Sequence, residues 1–439
     1  MLAAVENPVN IKKERRYLKS LYFILFLAFG SIQPFVGAFY RQVLTTEDGS
    51  PDMLLIGIIA TCSPIVAFFA NLSVGVLCDK FGLSQKLVTI LAFMGAFFAI
   101  TLGILGAHTS VEIPSFAILF IIAILSYSFV VASLGPLVDS ETLHHLNKHS
   151  DRKKFGILRI WGTYGWAISA LSVGILLTFI GCFGKESGNV ILAFVSLGKE
   201  FLAPTITNFQ YQIIYFVGAA MMLFLAIFGI KARPVIEKKP KISYKHLFKD
   251  FLFMRFLIFV FIQGIIMAAT TEHYFSFFWA EILSGPLQIG MVYAFWTIPE
   301  IFIMKNSDKL LHRFGSRKIL LAGISFIALQ LLLLSTLTPE MPFILKFMPA
   351  MLHGVSFALH FIGTINYLDS YAPQNMKATY LTTMYIARSV FAAVIGGALG
   401  ATVIHNFGTA MLMRGGAVCM VLMALFFVLF VKLPKEVAR

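Results

Sequence analysis

Apolar residues dominate this chain in long unbroken runs, and polar residues collect in short stretches between them. Twelve runs are long enough to cross a bilayer, which takes about 17–25 residues in a helix. They cover residues 17–44, 53–78, 86–107, 113–140, 155–183, 208–231, 251–280, 286–304, 318–338, 342–369, 376–404 and 408–432. No backbone polar group can stay unpaired in hydrocarbon, so each run predicts a helix. The fold class expected is an all-α membrane protein with twelve transmembrane helices.

Composition agrees. Of 439 residues, 58% are hydrophobic and 13% charged, against about 25% charged in a soluble domain. The net charge of +14 raises the question of nucleic acid, but its distribution answers it. With both termini placed in the cytoplasm, 28 of the 35 Lys and Arg fall on that side and 4 on the other. This is an orientation signal, so no nucleic-acid partner is expected and the lipid bilayer is. The polar, basic lead-in to a full-length first run predicts no cleavable leader. Cysteines 62, 78, 182 and 419 are scattered without a CxxC pair and read as small apolar side chains. No cofactor and no metal are expected, and a monomer is.

The longest basic connection, 232–250, divides six runs from six. It predicts an N-terminal six-helix bundle at 1–231 and a C-terminal one at 251–439. The halves repeat one another. Phe81-Gly82 recurs as Phe314-Gly315, and LVDSE at Leu137–Glu141 recurs as YLDSY at Tyr367–Tyr371. The near-equal offsets point to parallel repeats related by a pseudo-two-fold axis, with a substrate site between them near the midplane.

Three basic residues remain inside the runs: Arg159, Arg388 and Arg414. A charge at the bilayer centre costs roughly 2.5–3.5 kcal/mol on insertion scales and calls for a partner. Asp139, near the end of the fourth run, is the expected partner of Arg159. Glu300 is the first expectation for Arg388. Arg414 lies near a run's end and can snorkel. Glu272 and His273 sit side by side in the seventh run and suggest a titrating pair. His353, Ser356 and His360 share one face of the tenth run. Gln33-Pro34 predicts a kink in the first. Asn71 in the second run faces either a cavity or its own helix.

Gly75–Lys86 reads GVLCDKFGLSQK, and Gly75, Asp79, Lys80 and Gly82 match the loop signature of the major facilitator superfamily. The second copy is Asp308, Lys309, Arg313, Gly315, Arg317 and Lys318. As a ring at the cytoplasmic mouth these residues are candidates for ion pairs that break and re-form as the halves rock; a solvated turn is the alternative. PLVD at 136–139, FGILR at 155–159 and Trp166 resemble the lactose permease branch. RIWGTYG also resembles the nucleoside–proton symporters and the phenylpropionate-permease-like group, which His273-Tyr274-Phe275 and the LHG of span ten resemble too.

The resemblance implies substrate contacts from Asp139, Arg159, Trp166, Glu300 and His353, and the mid-span charge of Arg388 adds that residue as a candidate. As titratable groups inside the runs, Glu272, His273, Glu300, His353 and His360 are the candidates for proton coupling. Two places depart from lactose permease. Ser356 stands where that family carries its proton-bearing glutamate, and Gln330 where it carries a functional arginine in span nine. A relay of His353, Glu300 and Glu272 is the expected substitute.

Nucleotide-binding loops, HExxH and nucleophile elbows do not occur, so an enzyme is not expected. The function expected is a secondary active transporter importing a small hydroxylated metabolite, a nucleoside or sugar, with protons by alternating access. An aromatic monocarboxylate symporter, an antiporter or exporter, and a non-transporting receptor on the same scaffold stay open.

Overall fold

A computed structural model describes residues 8–81, 84–107, 114–148, 155–183, 211–229, 250–373 and 376–431. The described residues form helices joined by short turns and bends, with an isolated bridge between Thr45 and Pro51. In chain order the helices are α1 (Pro8–Ile32), α2 (Val36–Val43), α3 (Met53–Phe81), α4 (Ser84–Ala107), α5 (Pro114–Ala132), α6 (Leu134–Lys148), α7 (Phe155–Phe183) and α8 (Ile213–Gly229). After the 232–250 connection, of which only Asp250 is described, come α9 (Phe251–Met267), α10 (Phe275–Ile282), α11 (Pro286–Phe295), α12 (Thr297–Lys305), α13 (Ser307–Leu334), α14 (Phe343–Tyr371), α15 (Lys377–Ile386) and α16 (Ala393–Phe430). Wider π turns, Ala268–Glu272 and Ala387–Ala392, join α9 towards α10 and α15 to α16.

Ten helical stretches, some of them kinked, are long and apolar enough to cross a membrane among the described residues. One of them, Thr379–Phe430, has 52 residues. At 1.5 Å per residue it would measure about 78 Å if straight, well over twice the hydrocarbon thickness. Gly408 breaks it with φ 80° and ψ 170°, a conformation glycine adopts without penalty. Gly315 turns α13 in the same way, with φ 76°. The apolar α8, with 17 residues, stands apart as a shorter helix.

The predicted kink is present. Pro34 separates α1 from α2, and the chain is bridged by Phe35 N–H donating to Ile32 O at 3.1 Å. Pro64, by contrast, is carried inside α3 without a break. Asn71 donates to Ala67 O at 2.9 Å, so it satisfies its own helix. The fourth run extends further than its hydropathy predicts. α6 continues to Lys148, and His145 Nδ1 meets Glu14 Oε2 at 2.8 Å. Asp139 therefore sits two turns inside a helix rather than at its end.

Close helix contacts are built on small residues. Along α1 and α7, a Cβ on Gly165 would lie 2.3 Å from Phe23 O, and one on Gly30 would lie 2.7 Å from Trp166 O. Ser169 Oγ donates to Leu27 O at 2.6 Å in the same seam. Gly162 and Gly165, just after Arg159, thus serve to bring α1 against α7.

Contacts between the two halves of the chain follow the same rule, and they gather at one end. α7 meets α11, α3 meets α16, and α2 meets α10. A Cβ on Gly290 would be 2.5 Å from Ala170 O, one on Gly397 would be 2.7 Å from Ala60 O, and one on Gly37 would run into the Phe277 backbone. Each of these sites lies near the 44–52 or 283–285 connections. A polar tie closes the same end: Arg41 Nη1 and Thr409 Oγ1 both donate to Glu281 Oε2, at 3.2 and 3.1 Å. The guanidinium of Arg41 also stacks 4.9 Å from the Phe277 ring. At the opposite end, α6 and α13 make their extensive contacts within their own halves.

Candidate functional site

Below the sealed end, three polar groups face the middle of the helix assembly. The first is built on α1, α6, α7 and α12. Packing of α1 on α7 brings Tyr22 to Asp139, and the phenol donates to Oδ1 at 2.6 Å. Arg159 Nε lies 3.9 Å from the same oxygen. Its guanidinium sits between Phe26 at 5.9 Å and Phe361 at 5.7 Å. Phe361 belongs to α14, so this arginine touches both halves. Across the gap Thr163 donates to Glu300 Oε1 at 3.5 Å, and Arg159 is within electrostatic reach of that carboxylate. Among the described residues no basic group pairs with Glu300.

The second group is held by the two π turns. Glu272 closes one and Arg388 lies in the other, and they form an ion pair with Nη2 2.5 Å from Oε1. Arg388 also reaches Met267 Sδ at 3.9 Å. This corrects one sequence expectation. The partner of Arg388 is Glu272, not Glu300. His273 lies within electrostatic reach of Glu272, and its Nε2 is directed at Ala393 O, 3.2 Å away. A carbonyl only accepts, so Nε2 carries the proton there. Both residues of the Glu272–Arg388 pair lie in π turns, each of which inserts one residue into the helical repeat and rotates the side chains that follow. Nearby, His360 Nε2 meets Gln263 Oε1 at 3.1 Å and Thr364 Oγ1 at 3.3 Å.

The third group centres on His353. Gln330 Nε2 donates to His353 Nδ1 at 3.2 Å, and Ser356 Oγ donates to Gln330 Oε1 at 2.9 Å. The two positions that depart from lactose permease are thus hydrogen-bonded to one another as neutral groups. The imidazole packs among Trp296 at 4.3 Å, Phe275 at 4.9 Å and Phe357 at 6.2 Å. Tyr293 continues this stack onto Trp296 and then to Trp166, at 4.2 and 6.4 Å. The buried Nε1 of Trp166 has no partner among the described residues. Among the described residues no hydrogen bond or ion pair links His353 to Glu300 or Glu272, so the expected relay of those three is not assembled in this conformation.

Sequence reasoning missed Tyr22, Thr163, Gln263, Tyr293 and Phe361. All lie on faces of long apolar helices, where a single phenol, amide or ring gives no signal until a neighbour is placed against it. Tyr385, three residues before Arg388, lies within electrostatic reach of Arg388, Arg159 and Asp139, so it stands between the first two groups.

The loop residues are only partly described. Gly75 lies within α3, where an added Cβ meets nothing. Gly82 lies outside the described residues, as do the side chains of Asp79 and Lys80. Asp308 opens α13 in its first turn. Arg317 Nη2 donates to Val428 O at 3.1 Å, which holds it to its own half.

Comparison with known proteins places this geometry. The maltose permease of Geobacillus stearothermophilus is 25% identical over 380 residues, covering 87% of this chain and 83% of that protein. The putative nucleoside transporter YegT of Escherichia coli (strain K12) is 23% identical over 383 residues, 84% of each. The crystal structure of the nucleoside transporter NupG shares the fold with a TM-score of 0.72 at 18% identity, over 96% of this chain and 99% of that one. The MFS_1 like family matches residues 16–414. That match runs from the basic lead-in of α1 to the middle of α16, and the chain accordingly belongs to the MFS_1 like family of multi-pass proteins of the cell membrane.

Proposed function

We propose that this protein is a proton-coupled secondary transporter, not an enzyme, that takes up a neutral hydroxylated metabolite, a nucleoside or a sugar. The observation that carries this reading is the pairing of charges. Arg159 is matched by Asp139 and Arg388 by Glu272, while Glu300 faces the gap between the halves with Thr163 as its one hydrogen-bonding partner among the described residues. Neither arginine is left to hold a substrate carboxylate, which argues against the aromatic monocarboxylate alternative. An unpaired carboxylate in a closing dry cavity is costly unless protonated, so Glu300 is the assigned proton carrier. The maltose and nucleoside transport named for the relatives fits the same substrate class.

In this reading Asp139 and Arg159 hold substrate hydroxyls through charge-assisted bonds. Trp166, with Tyr293 and Trp296 beside it, covers a ring face. His353 and Arg388 belong to the opposite wall. Residues 1–231 and 251–439 are two six-helix bundles, with 232–250 between them. Gly408 divides the 52-residue stretch into two crossings and α8 supplies another, which makes twelve. Both termini are cytoplasmic and the chain acts as a monomer. The end sealed by Gly37, Gly290 and Gly397 is then the outer one, and the conformation faces inward.

Uptake of labelled uridine, adenosine, maltose, xylose and phenylpropionate into energised vesicles tests the reading, with and without a protonophore. Accumulation of a nucleoside or sugar that collapses with the protonophore is expected. Accumulation of phenylpropionate alone refutes the substrate class, and protonophore-insensitive accumulation refutes proton coupling. Binding without any flux would make the chain a receptor instead.

A further inference from the structure

The first turns of α1 carry Lys12, Arg15, Arg16 and Lys19 on one helix face, at i, i+3, i+4 and i+7. Phe23 continues the stripe one turn deeper. Together with Ser20 and Trp161 of α7 these residues line a cleft of about 470 Å³. The only acidic residue of this turn, Glu14, is drawn away onto His145. Among the described residues no carboxylate pairs with Lys12, Arg16 or Lys19. Lys12, Arg16 and Lys19 thus bring positive charge to the cleft without a carboxylate partner among the described residues.

Its depth and rim indicate what fills it. From Lys12 to Lys19 the helix rises about 10 Å, and Phe23 lies about 6 Å further in. That matches the passage from the headgroup layer into hydrocarbon. The rim is aromatic: Lys19 Nζ stands 5.5 Å from the Trp161 ring centroid, and Phe23 meets Trp161 edge-on at 6.5 Å. Trp161 is 39% exposed, and Ile157 one turn before it is 60% exposed. Both offer apolar surface beside the cations. A free phosphate would use the cations and leave this rim idle. We propose that the cleft between α1 and α7 binds the phosphate headgroup of an anionic phospholipid, with its acyl chains running along Trp161, Phe23 and Ile157.

Native mass spectrometry of the purified full-length protein, titrated with phosphatidylglycerol, with phosphatidylcholine or with inorganic phosphate, tests this. The wild type is expected to retain phosphatidylglycerol in preference to phosphatidylcholine. Each basic residue removed should weaken that binding about fivefold, and Lys12→Gln/Arg16→Gln/Lys19→Gln on the order of a hundredfold. Lys12→Arg/Lys19→Arg should bind as the wild type does. Trp161→Ala should weaken the lipid without affecting phosphate. Unchanged phosphatidylglycerol binding by the triple variant would overturn the proposal, as would displacement of the lipid by equimolar inorganic phosphate. If the triple variant fails to fold, the exposed single variants Lys12→Gln and Arg16→Gln carry the same test through their fivefold losses.

Discussion

Adding one methyl group at Gly290 should push the protein out of its sealed state. In Gly290→Ala the new Cβ would lie 2.5 Å from Ala170 O and 3.1 Å from Gly174 Cα. Ordinary contact is about 3.5 Å, so α7 and α11 must part by about 1 Å. Both obstructing atoms are backbone, and no side chain can yield in their place. Overpacking of this kind costs about 1–3 kcal/mol. Alanine also favours a helix by about 1 kcal/mol over glycine, but that gain is present whether the seam is open or shut, and it cancels. Only the sealed state bears the clash. With tenfold for each 1.4 kcal/mol, the ratio of open to sealed molecules should rise about 5- to 150-fold. The assay is labelling of Thr163→Cys, which sits about 16 Å along α7 from Gly174, in a background with the four native cysteines replaced. An impermeant thiol reagent is added from the side of the 44–52 connection. Labelling should accelerate by that factor in Gly290→Ala and stay unchanged in Gly415→Ala, where an added Cβ meets nothing within 4 Å. Equal labelling in Gly290→Ala and its parent, with both folded, would refute the argument that this seam distinguishes two states.

Further outcomes follow from the same contacts. Glu272→Gln strands the Arg388 charge; with side chains 20% and 34% exposed, a loss of roughly 1–3 kcal/mol is expected rather than the 3–5 of a fully buried pair. Thermal unfolding should show it, with part of the loss recovered in Glu272→Gln/Arg388→Gln. Glu300→Gln should abolish protonophore-sensitive accumulation while substrate counterflow persists, since exchange needs no proton release. Retention of gradient-driven uptake in that variant would remove Glu300 as the carrier. Ser356→Ala leaves Gln330 Oε1 without its donor and should cost about 1–3 kcal/mol of stability, measured by the same unfolding. Arg41→Ala removes a half-exposed tie at the sealed end; an effect of at most about 1 kcal/mol on labelling of Thr163→Cys is expected, well below that of Gly290→Ala.

The apolar runs, the excess of Lys and Arg on one set of connections and the Pro34 kink are all legible in the residue order. Each depends on a local property: length against bilayer thickness, charge against membrane side, or a missing amide hydrogen. The pairing of Arg159 with Asp139 was also within reach, because consecutive antiparallel helices joined by a loop bring their ends together. Other features needed the assembled structure. Arg388 finds Glu272 rather than Glu300 with both residues of the pair in π turns, Ala268–Glu272 and Ala387–Ala392, and neither turn has a sequence signature. Pro64 stays inside a helix while Pro34 breaks one, although both are prolines in apolar runs. Gln330, Ser356 and His353 form one hydrogen-bonded unit only because α13 packs on α14. Gly162 and Gly165 become the seam on which α1 lies only through packing against Phe26 and Phe23. Local chemistry therefore determined which segments enter the membrane, and the rotation of each helix about its axis, set by contacts distant in the chain, decided which charges meet.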